Sequence, residues 1–183
     1  MSLSRRGIAR VAAGVAVVVG AYLAVRAGAS HLPPSATAGT AAPRFVAETL
    51  DRSPTPRSLD DYAGQPLLLN VWATWCDPCR DEMPSLERLY RDYKSRGLRV
   101  AAVSVDDPGN EQLIRDFVRE NGLTFDILHD PKAAIMQLYQ VRGVPQTFLI
   151  SREGAIAGMR FAADWSSAES RALVDSLVRA VAR

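Results

Sequence analysis

Both cysteines of this 183-residue chain stand in one short run, Trp75-Cys76-Asp77-Pro78-Cys79, and that run constrains the fold more than any other feature. Before it, residues 67–73 (LLLNVWA) form a short apolar segment of the kind that makes a strand buried on both faces. After it, a helix is predicted over residues 78–95. Proline is tolerated at a first helical turn because that N–H has no partner within the helix. Leu86, Leu89, Tyr90 and Tyr93 supply an apolar face, Glu87 and Arg91 an i,i+4 pair, and Gly97 the stop. Pro84 is expected to kink this helix. A thiolate at a helix N-terminus faces unpaired N–H groups and the positive end of the dipole, which lowers its pKa below about 8.5. A partner thiol three residues on sits one turn inside the helix, close enough to resolve a mixed disulfide. Cys76 is therefore the expected exposed nucleophile and Cys79 the shielded resolving thiol, with Pro78 prearranging the turn.

Other uses of a C-x-x-C pair fit less well. Metal binding lacks a second ligand pair, because His31 falls in a linker and His129 reads as a lone surface-loop residue. A structural disulfide closing so short a loop would constrain few unfolded conformations. Redox work is the favoured reading, with no metal and no cofactor beyond the disulfide itself.

The rest of the chain alternates strands with helices. Residues 45–50 read as an edge strand, 58–62 as a helical turn, 98–105 as a second apolar strand and 111–121 as a helix with Leu113, Ile114, Phe117 and Val118 inward and Gly122 after its end. A strand at 125–128, a helix at 131–139 and a hairpin of 147–150 with 155–161 follow. Ser166-Ser167-Ala168-Glu169 has the spacing of a capping box opening a last helix, whose buried stripe is Leu173, Val174, Leu177, Val178 and Val181. This order predicts an α/β sandwich with a mixed central sheet flanked by helices. Trp72 reads as core and Trp75 as a partly exposed lip beside Cys76, while Phe161 and Trp165 read as packing residues.

The N-terminus carries a different message. Residues 11–25 lack charge and follow Arg5, Arg6 and Arg10, so the chain beyond them is expected outside the cytoplasm. Fifteen helical residues reach about 22 Å, short of a bilayer core of about 30 Å. Snorkelling of Arg10 and Arg26 would let residues 8–29 serve as one span. Ala27-Gly28-Ala29 offers a cleavage site instead. The expected layout is a signal anchor, or cleaved signal peptide, over 1–30, a flexible Pro/Ala-rich tether over 31–43 and one domain over 44–183. That places the domain on the periplasmic or extracytoplasmic side of the inner membrane, single-pass with the N-terminus in the cytoplasm, or soluble in the periplasm after cleavage. The chain has 22 Lys and Arg against 20 Asp and Glu. Arg5, Arg6, Arg10 and Arg26 precede residue 30, where no acid stands, so the remainder holds 18 basic and 20 acidic residues. No nucleic-acid partner is expected of such a surface.

The run from Asn70 through Cys76 and Cys79 to Pro84 (NVWATWCDPCRDEMP) resembles the active-site segment of the TlpA/ResA-like thioredoxin-fold thiol–disulfide oxidoreductases, and the resemblance covers residues 43 to 183. Gly143-Val144-Pro145-Gln146-Thr147-Phe148 is similar to the segment that carries that family's cis-proline. The likeness implies a thioredoxin-like domain, the redox pair Cys76–Cys79, a cis Pro145, and Glu82 as the acidic residue that tunes the thiols. From its position alone Glu82 reads as a solvated first-turn carboxylate. Trp75, Asp77, Pro78 and Val144 are the implied substrate contacts, the backbone of Val144 pairing with an extended client. Asn70 stands where thioredoxins proper place a buried Asp, which leaves Glu82 as the candidate proton acceptor for Cys79.

Asp77 and Glu82 are expected to put two negative charges near Cys76 and oppose its ionisation, which makes the pair a better reductant. The implied clients are disulfide-bearing proteins such as apocytochromes c or copper-receiving oxidase subunits, recharged by a membrane electron donor of the DsbD/CcdA type. Two alternatives remain at this level. A thiol peroxidase on the same fold needs P-x-x-x-T-x-x-C around Cys76, which the run ending Val71-Trp72-Ala73 does not supply. A Cu(I) carrier would use Cys76, Cys79 and His129.

Overall fold

The structure, a computed structural model, describes residues 37–51 and 53–180. The anchor or signal segment, the first part of the tether and Val181 lie outside the described residues. Seven strands form one sheet: β1 (Val46–Thr49), β2 (Pro56–Ser58), β3 (Leu67–Trp72), β4 (Arg99–Ser104), β5 (Asp126–His129), β6 (Gln146–Ile150) and β7 (Ile156–Phe161). Their spatial order is β2-β1-β5-β4-β3-β6-β7. The parallel core β3–β4–β5 is extended by antiparallel partners on both sides, so the sheet is mixed as expected. Four α-helices accompany it: α1 (Asp77–Tyr93), α2 (Glu111–Glu120), α3 (Ala134–Leu138) and α4 (Ala168–Arg179).

Strand β3 sits between β4 and β6 and is buried at every position. Alternation sends Leu68, Asn70 and Trp72 to one face and Leu67, Leu69 and Val71 to the other. The first face packs against Met83, Leu86 and Leu89 of α1, Ile114 and Phe117 of α2, and Val174 and Leu177 of α4. The second meets Tyr62, Ile135, Tyr139 and Phe148. Because both faces are covered, the sequence of β3 shows no polar alternation, and each buried Leu contributes about 1.5–3 kcal/mol. Helix α1 continues through Pro84 and is extended by a 3-10 turn, Lys94–Arg96, that ends at Gly97 with φ 91°. That left-handed backbone is what Gly provides at a helix end.

Several expectations fail for physical reasons. Strand β1 is not an edge, because β2 pairs along its outer side; with three residues and a proline, β2 gave no periodic signal. Leu113 is exposed rather than inward, and of α2 only Ile114 and Phe117 are buried. Helix α4 is capped by Ser167, whose Oγ accepts from the Ser170 N–H, while Ser166 bonds to Asp164 instead. At the domain's start, the Gly39 N–H donates to the Ile156 carbonyl and Ala42 N–H to that of Gly154, both at 2.8 Å. The last residues of the expected tether are thus hydrogen-bonded to the β6–β7 hairpin.

Candidate active site

The chain leaves β3 at the sheet's centre, turns through Ala73–Cys76 and enters α1. Cys76 is the N-cap, and the Cys79 N–H points at its Sγ at 3.2 Å. The two sulfurs are joined, with Cα atoms 5.2 Å apart. Cys79 is fully buried and Cys76 is 5% exposed. Cys76 is the outer sulfur as expected, but it shows far less surface than an exposed nucleophile would. Its Sγ lies 3.5 Å from the carbonyl oxygen of Val144, and the Val144–Pro145 bond is cis. Strand pairing explains this proximity: Val71 stands opposite Gln146 in the β3–β6 register, so residues 144–145 enter β6 where β3 ends. Trp75 is 63% exposed beside Cys76, a lip as the sequence suggested. Asp77 and Pro78 occupy the first helical turn, both on the surface.

Glu82 is three residues beyond Cys79, on the same face of α1. It is not a solvated carboxylate but 5% exposed. Its Oε1 accepts from the Trp165 indole N–H at 2.6 Å and from the Thr147 hydroxyl at 3.3 Å, with the Asn70 amide at 3.5 Å. Asn70 also donates to Thr147 at 2.9 Å. Its Oε2 is buried without a direct partner. Burial raises the pKa from 4.5 to about 7, against the bonds from Trp165, Thr147 and the Ala163 backbone, which lower it. Near neutrality Glu82 is therefore partly protonated, a group that exchanges protons rather than the fixed negative charge expected next to Cys76.

The loop before Cys76 is held from below by a residue that sequence reading passed over. Asp106, fully buried just past β4, accepts from the Thr74 N–H at 2.9 Å, the Thr74 hydroxyl at 2.5 Å and the Ser104 hydroxyl at 2.6 Å. Its backbone carbonyl receives a hydrogen bond from His129 Nε2 at 2.9 Å; a carbonyl only accepts, so Nε2 carries the proton. His129 is buried at the end of β5, not a surface-loop residue, and its Nδ1 lies 3.7 Å from Glu111. The imidazole is thus engaged away from the cysteines, and the Cys76–Cys79–His129 copper set is not assembled. Among the described residues no three His, Cys, Asp or Glu side chains cluster as metal ligands.

Of the two aromatics read as packing residues, one departs from that reading. Phe161 is 63% exposed on β7, with its ring over Gly143. It pairs with Gln146 at the same end of the sheet as the disulfide. Trp165 is packed as expected, but it is also the strongest hydrogen-bond donor to Glu82, 83 residues away. Nothing local in the sequence announces a contact of that range.

Comparison with known proteins agrees with this geometry. A family model described as AhpC/TSA family matches residues 38–159. The chain is 40% identical over 122 residues to the thiol-disulfide oxidoreductase ResA of Oceanobacillus iheyensis, covering 64% of this chain and 62% of that protein. It is 34% identical over 135 residues to ResA of Bacillus subtilis, covering 74% and 71%. The first of these alignments thus spans less than two thirds of its relative. A crystal structure of a putative thiol:disulfide interchange protein DsbE from Chlorobium tepidum superposes with a TM-score of 0.67 at 28% identity, over 78% of this chain and 98% of that one. StoA from Bacillus subtilis gives 0.54 at 29% identity, over 66% and 88%. With its paired cysteines at a helix N-terminus and the cis-proline on the adjoining strand, the chain belongs to the AhpC/TSA family and, within it, to the ResA-like thioredoxin-fold thiol–disulfide oxidoreductases.

Proposed function

We propose that the protein is a thiol–disulfide oxidoreductase that reduces disulfides of client proteins outside the cytoplasm. The observation that carries this reading is the position of Cys76 Sγ, capped by the Cys79 N–H at 3.2 Å and 3.5 Å from the Val144 carbonyl beside the cis-proline. In the reduced enzyme the Cys76 thiolate is stabilised by that N–H and the helix terminus. It attacks a client sulfur, forms a mixed disulfide and displaces the client's first thiolate. Cys79 then loses its proton to Glu82 and attacks Cys76 Sγ, releasing the second client thiol and closing the Cys76–Cys79 bond. The client loses a disulfide and the enzyme gains one. An extended client strand pairs with the backbone at Val144, between the exposed rings of Trp75 and Phe161.

The reductive direction rests on the carboxylates. Asp77 opposes ionisation of Cys76 at the helix start, and Glu82 ties electron transfer to proton uptake near neutral pH. Apocytochromes c and copper-receiving oxidase subunits are the clients the family suggests, a DsbD/CcdA-type membrane protein the reductant, and the inner membrane, reached through residues 1–30, the location. The test is the reduction potential of the Cys76–Cys79 couple in the full chain. A value below about −200 mV supports the reductase, whereas one near about −120 mV indicates an oxidant. The role of Glu82 is lost if Glu82→Gln leaves both the thiol pKa values and the reductase rate unchanged.

A further inference from the structure

Three side-chain donors converge on Oε1 of Glu82, the Ala163 backbone adds a weaker contact to the carboxyl group, and Oε2 makes no hydrogen bond of its own. The shortest of these bonds comes from Trp165. Trp165 is itself locked in place. Its backbone N–H donates to Ser85 Oγ at 3.2 Å, and the Ser85 hydroxyl donates to the Glu82 carbonyl at 2.8 Å. A closed ring therefore runs from the Glu82 carboxylate through the indole, the Trp165 backbone and Ser85 to the Glu82 backbone. Asp164 anchors the same segment by accepting from the Ser166 N–H at 2.9 Å. Beside the ring lies a cavity of about 370 Å³ between α1 and residues 162–164, lined by Pro78, Asp81, Glu82, Ser85, Arg88 and Asp164 among others.

We propose that Trp165 is a positioning residue for the proton step: by holding Oε1 it leaves Oε2 as the oxygen that takes the Cys79 proton and passes it to solvent along this cavity. The inference rests on the reading of Glu82 as proton acceptor and adds which oxygen acts and what selects it. In the closing step the Cys79 S–H bond breaks and its proton moves to Oε2. The Cys79–Cys76 bond forms, the Cys76–client bond breaks, and the client leaves as a thiolate carrying the electron pair. The charged groups that line this cavity with Glu82 are Asp81 and Arg88 from α1 and Asp164 from the loop after β7, whereas Asn70 and Thr147, which bond Glu82 from the sheet, are neutral.

The chain has three tryptophans, so their indole N–H signals are resolvable by ¹⁵N NMR of the oxidised full chain. The Trp165 signal is expected to move with pH around a midpoint near about 7, and to stop moving in Glu82→Gln. In Trp165→Phe, which keeps an aromatic ring but removes the donor, the pH midpoint of Cys79-dependent closure rises by about one unit or more, because a hydrogen bond to the charged form is gone. Ser85→Ala gives a smaller shift in the same direction. The rate of Cys76 alkylation is the internal reference. A Trp165 signal that ignores pH in the wild type, or a Trp165→Phe midpoint equal to the wild type, overturns the proposal. Should Glu82→Gln leave the closure profile unchanged, the underlying reading of Glu82 fails as well, so the two failures are distinguishable. The wild-type titration decides even where Trp165→Phe does not fold.

Discussion

The two sulfurs of one disulfide face two different environments. Around Cys76 are surface groups: Trp75, Asp77, the Val144 carbonyl and, one strand further, Phe161. Behind Cys79 is a dry interior where Asn70, Glu82, Thr147 and Trp165 share a few hydrogen bonds. The same carboxyl chemistry acts differently in each. Asp77 is solvated and its charge is screened over about 8–10 Å. Glu82 has no such shielding and changes protonation in the physiological range. In the proposed function, client capture belongs to the wet side and proton management to the dry side.

Removing one sulfur at a time separates the two sides most sharply. Cys76→Ser should abolish turnover, whereas Cys79→Ser should stall at the mixed disulfide, visible as a covalent adduct on non-reducing gels or by mass spectrometry. An adduct on Cys79 in the first variant would reverse the assigned roles. Next in size, Asp106→Ala strips the buried acceptor from Thr74 and Ser104, leaving donors unpaired. It should cost roughly 3–4 kcal/mol in denaturant unfolding and loosen the loop that carries Cys76.

Glu82→Gln tests the dry side by its pH dependence. A raised carboxyl pKa means that the folded protein binds more protons than the unfolded chain between pH 4.5 and about 7. Stability therefore falls as pH rises through that window, by about 3 kcal/mol in all. The variant lacks this penalty, so it should match the wild type near pH 4.5 and exceed it by up to about 3 kcal/mol above pH 7. Parallel curves would show that Glu82 does not titrate in that range.

Smaller effects are expected on the wet side. Phe161→Ser should leave stability within about 0.5 kcal/mol yet raise KM for peptide disulfides several-fold, with little change for a small-molecule disulfide. Equal loss on both substrates would remove Phe161 from the client surface. Asp77→Asn should be the mildest, also within about 0.5 kcal/mol, with a modest fall in the Cys76 thiol pKa measured by alkylation.

The wet side was the more legible in the sequence. Cys76, Pro78 and Cys79 announce themselves by spacing, and apolar runs locate β3, β4 and α1 because burial on one or two faces leaves a periodic trace. The family likeness marks Glu82 and Asn70 but not their surroundings: β3–β6 pairing sets Asn70 against Thr147 across 77 residues, and the packing of α1 on the sheet buries Glu82 beside Thr147 across 65. His129 reads as a loop residue, and Asp106 draws no notice, because their burial depends on the β4–β5 pairing, which places Ser104 opposite His129. Long-range pairing of this kind has no local period to betray it.

The place of β3 within the sheet has a dynamic consequence. Strands hydrogen-bonded on both sides open only when much of the domain opens, while edge strands fluctuate at far lower free-energy cost. The sulfur pair is attached to β3, flanked by β4 and β6, whereas Phe161 belongs to β7 at the sheet's margin. Backbone amides of β3 should thus be among the last to exchange with deuterated solvent and those of β7 among the first. In the proposed function, this leaves Phe161 free to breathe, and so to adapt to unrelated polypeptides, without loosening the mount of the reacting sulfur.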